Sequence, residues 1–386
     1  MSKGVIPEHY IVVLSDDVGQ SSLPDVANEM AKSHGLKIGH VYRHALKGFS
    51  AVIPDARLEK LKSDPRVKRI DADRVIYAMP KPPGKGKPPK EDNPPPPQVL
   101  PTGIDRIDAE LNSTIRPIDV DIAIIDTGID LDHPDLNVVN NVAFVKSKNG
   151  GDDDNGHGSH VAGITAAKDN EFGVVGVAPG ARLWAVKVLD RRGQGSWSSV
   201  IAGIDFVTAY ANEIEVANMS LGGSGSDTAS SLRTAIENSV AAGITYVVSA
   251  GNANDDSSKY VPAAYDSVIT VSAIADSDGL PGSNGPNTVY GADDTFASFS
   301  NFGEDVDIAA PGVEIYSCSK KGGYATKSGT SMSAPHVAGA AGLFIANHPG
   351  VIPGEVAFAL IALGSLGQFT GDPDIFSEPL VDASIL

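Results

Sequence analysis

One segment sets the terms on which this chain can fold. Residues 80–98 read PKPPGKGKPPKEDNPPPPQ, rich in proline and lysine and nearly free of apolar side chains. A stretch of that composition has no hydrophobic face to bury, so it reads as an extended, solvated linker. Folding must take place on either side of it, within residues 1–79 and 99–386. A chain of 386 residues has room for one small and one large domain.

The two sides carry different patterns. Before the linker, residues 9–14 predict a strand and 23–34 a helix. Strands follow at 37–44 and 49–53, a helix at 55–63 and a last strand at 67–77. The order βαββαβ suggests a ferredoxin-like α+β unit. After the linker, continuous apolar runs (120–125, 183–189, 216–221, 244–250, 268–273) alternate with helical segments (157–167, 197–211, 229–242). Strands without polar alternation, separated by helices, argue for an α/β fold: a mostly parallel sheet with helices on both faces.

Charge and composition exclude several classes of function. No apolar run approaches 18 residues, so no membrane span is expected. The large segment carries 14 Lys and Arg against 36 Asp and Glu, which disfavours nucleic acid as a partner. The first segment carries 12 against 10, and its balance suggests that it docks on the acidic segment with electrostatic help. The single cysteine, Cys318, rules out an internal disulfide and reads as a small buried apolar residue. Residues 1–14 lack a signal-peptide pattern; the protein stays inside the cell or a signal was removed.

Four blocks carry chemistry. Asp126-Thr127-Gly128 ends the apolar run VDIAIID, where open α/β sheets place ligands. Asn155-Gly156-His157-Gly158-Ser159-His160 opens a helix of small residues, with both histidines on one helical face. That pair is compatible with a catalytic base, with two packed core histidines, or with zinc. Against zinc, the Glu of H-E-x-x-H is absent and no third ligand is evident. Ser331 lies in a glycine-led turn before a helix, whose start offers unpaired N–H groups suited to an oxyanion. Pro335 places that helix start close to Ser331. The run TYVVSA leads into Gly251-Asn252 and presents an amide at the sheet's carboxyl edge, as an oxyanion donor or as a turn residue.

In order along the chain, DTGID, NGHGSHVAG, NMSLGG, SAGN and GTSMSAPHVAG resemble the subtilisin-like serine proteases, or subtilase family. The resemblance covers nearly the whole chain and implies a serine endopeptidase precursor acting on polypeptide substrates, with broad specificity. By it, Ser331 attacks the peptide carbonyl, His157 moves the proton and Asp126 orients His157. Asn252 and the Ser331 N–H form the oxyanion hole, and His160 is structural. HGSH departs from the usual HGTH but keeps a hydroxyl, and MSAPH departs from MA followed by Ser or Thr; neither change is expected to abolish activity.

The resemblance also implies a groove and a metal. Ser220, Leu221 and Gly222 form one edge for an extended substrate backbone and Gly195-Ser196-Trp197 the other, with Trp197 over the fourth subsite and Gly251 beside Asn252. Trp197 also reads as an ordinary amphipathic-helix aromatic. Calcium falls to the side chains of Gln98, Asp135 and Asn170 and the carbonyls of Lys168, Phe172 and Val174. Residues 152–154, all aspartate, read as a solvated acidic loop, with a metal or basic substrate side chains as other uses. The acids of 276–295 suggest a second metal site or a mobile loop.

Residues 1–79 resemble the family's propeptide, a folding aid that then inhibits, with Met79 in the first subsite. Pro80 makes the bond after Met79 a poor one to cut. Maturation is therefore expected within 81–98, or the uncut tail persists as inhibitor. Residues 80–97 extended at ~3.1 Å each reach roughly 55 Å, enough to bring Gln98 to its calcium before cleavage. A secreted monomer is expected from the family's habits. Two rival readings are a non-catalytic binding protein on this scaffold and a zinc hydrolase using His157 and His160.

Overall fold

The computed structural model describes residues 4–79, 96–225 and 230–386. The linker residues 80–95, and with them Pro80, lie outside these. The first stretch forms β1 (Val5–Leu14), α1 (Leu23–His34), β2 (Lys37–Tyr42), β3 (Gly48–Val52), α2 (Asp55–Lys62) and β4 (Val67–Ala78). Its strands lie in the order β4-β1-β3-β2, every pair antiparallel. This is the ferredoxin-like unit that the βαββαβ pattern predicts. Alternation along β1 sends side chains to two destinations. Val12 and Leu14 join Leu23, Ala27, Met30 and Leu61 in a small core under α1 and α2. Ile11 and Val13 face the other way, into a cluster built mainly by the large domain.

The rest of the chain contributes α3 (Thr102–Arg106), β5 (Asp121–Asp126), β6 (Val138–Ala143), α4 (His157–Ala166), β7 (Arg182–Lys187), β8 (Gln194–Ser196) and α5 (Trp197–Ala209). Next come β9 (Val216–Met219), β10 (Leu221–Ser224), α6 (Ser231–Ala241), β11 (Thr245–Ser249), β12 (Tyr260–Val261), β13 (Ile269–Ala275) and β14 (Thr295–Phe296). The chain ends with β15 (Ile308–Pro311), β16 (Ile315–Ser319), β17 (Gly323–Lys327), α7 (Thr330–Asn347) and α8 (Pro353–Leu363). The large sheet runs β14-β13-β11-β9-β5-β7-β6, with β15 also beside β13. Only the β13–β14 pairing is antiparallel.

Burial on both faces explains the unbroken apolar runs. In β5, Ile122 and Ile124 enter one core with Val161 of α4, Val337 of α7 and Val356 of α8. Ala123 and Ile125 enter the other, with Val200 of α5 and Leu232 of α6. One predicted strand divides. The run 216–221 breaks at Ser220, because the backbone and hydroxyl of that residue bond to Ser331 instead of a strand neighbour. Beyond the break, β10 leaves the large sheet and pairs with β4 and β12. The small unit's sheet thus runs on into the large domain as one seven-stranded sheet.

Candidate active site

Asp126 closes β5 with no exposed surface. His157 heads α4, and its Nδ1 lies 2.9 Å from each carboxylate oxygen of Asp126. With Nδ1 donating, Nε2 is left as the acceptor. Two glycines allow this approach. A Cβ on Gly158 would lie 2.1 Å from the carbonyl oxygen of Gly128, and one on Gly128 (φ +97°) 2.2 Å from that of Gly151. Thr127 Oγ1 accepts the Gly158 N–H at 2.9 Å and donates to Asp153 Oδ1 at 2.9 Å.

Asp153 caps α4, accepting the N–H groups of Asn155, Gly156 and Ser159 and the Ser159 hydroxyl. A carboxylate at a helix start satisfies orphan donors and suits the helix dipole. Of the acidic run 152–154, expected to be a solvated loop, Asp153 departs from that reading while Asp154 stays exposed. Asp153 is buried, and Asp154 pairs at 2.8 Å with Lys187, a fully buried ammonium that also donates to the Thr127 carbonyl. The apolar strand β7 carries Lys187 inside, where only such partners can satisfy it. Ser159 Oγ also accepts the Asp130 N–H at 2.9 Å, so the hydroxyl kept in HGSH is used.

His160 answers to other groups. Fully buried, it sets Nε2 at 3.1 and 2.9 Å from the carbonyl oxygens of Ile315 and Ala325. Burial holds its pKa well below the ordinary range. His157 Nδ1 is engaged by Asp126 and His160 Nε2 by two carbonyl oxygens, and among the described residues no further His, Cys, Asp or Glu completes a metal cluster with the pair.

Ser331 is the second residue of α7, one position inside the helix and not in the turn before it. Pro335 lies further in. Having no N–H, it leaves the Ser331 carbonyl without its helical donor, and Ser220 Oγ fills that place at 3.0 Å. In return Ser331 Oγ donates to the Ser220 carbonyl at 3.2 Å. Among the described residues no hydrogen bond joins Ser331 to His157. Asn252 Oδ1 accepts the N–H and the hydroxyl of Thr330 at 2.9 and 2.8 Å. That turns Nδ2 toward Gly329, where a Cβ would lie 3.0 Å from it. Gly251 (φ +116°) donates its N–H to Thr330 Oγ1 at 3.1 Å. Sequence reasoning missed Thr127, Thr330 and Lys187; the first two are the hydroxyl residues inside DTG and GTS, and only Lys187 gave no local signal.

The groove beside these residues is filled by the chain's own β4. Val75, Ile76 and Tyr77 pair with Ser196, Gly195 and Gln194 of β8; Tyr77 and Ala78 pair with Gly222 and Leu221 of β10. Ile76 is fully buried in the cluster that holds Trp197, Leu221 and Val261. Met79 is buried against Gly222, whose Cβ would lie 2.2 Å from Met79 Cε. Met79, Gly222, Asn252 and Ala253 line a cavity of about 360 Å³. Docking is by hydrogen bonds more than by net charge. Asp73 accepts from the N–H and hydroxyl of Ser198 at the start of α5, and Asp71 from the Ser231 N–H at the start of α6. Asp205 receives the N–H groups of Arg43, His44 and Ala45. Among the described residues no ion pair crosses between the two units.

The residues expected to hold calcium meet in one loop. Asn170 Nδ2 donates to Asp135 Oδ1 at 2.8 Å and the Asn170 N–H to Gln98 Oε1 at 2.5 Å. Val174 N–H and Tyr324 OH bond to Asp135 Oδ2. Lys168 and Phe172 flank this point, and bridges of Pro97 to Phe172 and Val99 to Val174 bring Gln98 here while β4 still fills the groove. Burial raises the pKa of Asp135. In the 276–295 loop, Asp276, Asp278 and Asp293 present oxygens within 4.8 Å of one another. Arg106 already pairs with this group, at 2.9 Å from Asp276 and from Asp294.

A buried acid–histidine pair and a helix-start serine, beside a groove holding an extended strand, define a serine peptidase bound to its own N-terminal segment. Comparison with known proteins agrees. Residues 118–362 match the subtilase family and residues 9–79 the peptidase inhibitor I9 family. Subtilisin DY of Bacillus licheniformis is 40% identical over 290 residues, covering 74% of this chain and 97% of that protein. The thermostable alkaline protease of Halalkalibacterium halodurans is 34% identical over 379 residues, 97% of this chain and 91% of the relative. A solved cold-adapted subtilisin-like serine proteinase superimposes with a TM-score of 0.60 at 32% identity, covering 73% of this chain and 97% of its own. The chain belongs to the subtilase family, and it is a subtilisin-like serine protease carrying an N-terminal inhibitor domain.

Proposed function

We propose that Asp126, His157 and Ser331 are the catalytic triad and that residues 1–79 are a propeptide whose tail occupies the groove as substrate does. The observation that carries this reading is β4 itself, paired on both edges and ending with Met79 against Gly222 beside Asn252. In turnover, rotation about χ1 takes the Ser331 hydroxyl from the Ser220 carbonyl to His157 Nε2. His157 accepts its proton as Oγ attacks the peptide carbonyl, and Asp126 holds Nδ1–H in place. Asn252 Nδ2 and the Ser331 N–H receive the oxyanion; such a donor is worth ~10²–10³ in turnover, a range known from a subtilisin. His157 then protonates the leaving amine, and water hydrolyses the acyl-enzyme. A serine-directed fluorophosphonate tests the assignment. Matured enzyme should be labelled at Ser331 alone; labelling elsewhere, or none, overturns it.

The remaining assignments extend this reading. Ser220, Leu221 and Gly222 face Gly195 and Trp197 across the substrate, with Gly251 supporting Asn252. Residues 80–98 link the propeptide to a catalytic domain of 99–386. Maturation falls within 81–98, because proline after Met79 resists cleavage; N-terminal sequencing with a new terminus at Pro80 would overturn that. Calcium suits the loop of Gln98, Asp135 and Asn170, where a buried carboxylate lies beside two side-chain amides, with the Asn170 nitrogen now donating to it. A half-turn of the Asn170 amide exchanges its nitrogen for oxygen toward Asp135. Bound there, calcium supplies structural cross-linking of the loop and takes no part in the chemistry. Added calcium should raise the melting temperature, and Asp135→Ala should remove that response. We further read the protein as a secreted monomer acting on polypeptides. No helix among the described residues is long and apolar enough to cross a membrane.

A further inference from the structure

We propose that the indole of Trp197 forms a sixth substrate subsite that selects arginine through its ring face. The inference rests on the reading above, in which Met79 occupies the first subsite; Arg74 then stands at the sixth. Its guanidinium carbon lies 5.2 Å from the centre of the Trp197 ring, within cation–π range. Among the described residues no carboxylate pairs with that guanidinium, so the ring is its one charge-recognising partner there.

The geometry is fixed from both sides. Pairing between β4 and β8 continues as far as Val75 opposite Ser196, so the backbone path is set up to the residue next to Arg74. Residues two apart on a strand share a face. Arg74 therefore lies on the same face as Ile76, which is buried in the cluster containing Trp197. Trp197 in turn is the first residue of α5, held by the Ser196–Ser199 capping box and itself only 2% exposed. It is a rigid wall of the catalytic domain. A substrate entering by the same strand addition lays its sixth side chain over that wall. The acidic balance of residues 99–386 favours any cation generally, but a planar guanidinium gains from stacking in a way that a diffuse field does not reproduce.

The test uses matured enzyme and peptides identical except at the sixth position before the cut, which carries arginine, citrulline, lysine or alanine. Citrulline keeps the planar shape and removes the charge. Arginine should exceed citrulline and alanine by about 2–5-fold in kcat/KM, mainly through KM, with lysine between. In Trp197→Leu the overall rate falls, and the arginine-to-citrulline ratio should fall to about one; Trp197→Phe should keep part of it. Equal rates for arginine and citrulline in the unaltered enzyme overturn the subsite without any variant. A ratio that survives Trp197→Leu assigns it to the surface field and overturns the ring. Failure to cleave any of the peptides overturns the underlying reading as well, so the two failures are distinct.

Discussion

The two sheets of this molecule solve the same problem in opposite ways. The large parallel sheet is covered on both faces by helices of its own domain, so the strands of its centre are mainly apolar on both sides. The small antiparallel sheet has helices on one face only. Its other face, with Ile11, Val13, Tyr42 and Ala45, is closed by α5 and α6 of the catalytic domain. The large unit supplies its own interior, and the small one borrows half of its interior from the partner it inhibits. That difference makes release of the small unit costly to its own fold and mild for the enzyme.

The sharpest break between the two regions is chemical. Ser331→Ala should abolish peptidase activity, by ~2 × 10⁶ where the same change was made in a subtilisin, yet leave the propeptide docked. The check is a titration of activity beside gel filtration of the uncut chain. If docking is lost together with activity, the two regions are not separable as described.

A packing change in the small unit should do the reverse. Ile76→Ala removes a fully buried side chain at the junction, a class of substitution that costs about 2–5 kcal/mol. Inhibition by the propeptide should weaken at least about 30-fold while the matured enzyme, which lacks residue 76, is unchanged. Acid should act on the large domain. His336 is fully buried and its pKa is pushed down to about 4 by that burial, and His160 is lowered in the same direction. The unfolded chain binds these protons near pH 6.5 while the folded one does not, so stability is full above that pH. It is lost as pH falls toward 4, on the order of 3 kcal/mol for His336. Urea midpoints at pH 7, 5.5 and 4 measure this, and a flat profile would contradict it.

A smaller effect than these concerns selectivity. Gly222→Ala places a methyl where Met79 Cε now lies. Cleavage after methionine should drop roughly 10-fold relative to cleavage after alanine, the scale of one methylene in an apolar pocket. Rates on a matched peptide pair decide it.

Much was readable from residues alone because it depended on local pattern. Both unit types and the order of strands and helices announce themselves through periodicity, while the blocks around Asp126, His157, Asn252 and Ser331 stand out by glycine placement and take their proposed roles from the family resemblance. What the amino-acid order could not say was which groups meet across long separations. The bond of Ser331 to Ser220 arises because Pro335 opens a place in a helix that a residue 111 positions away happens to fill. Asp153 read as surface charge because nothing in a run of three aspartates marks the one that folds beneath a helix start. Lys187 entered the interior because β7 is buried on both faces. Such partnerships are set by how sheets and helices stack, and electrostatic satisfaction in a dry interior is decided only once that stacking exists.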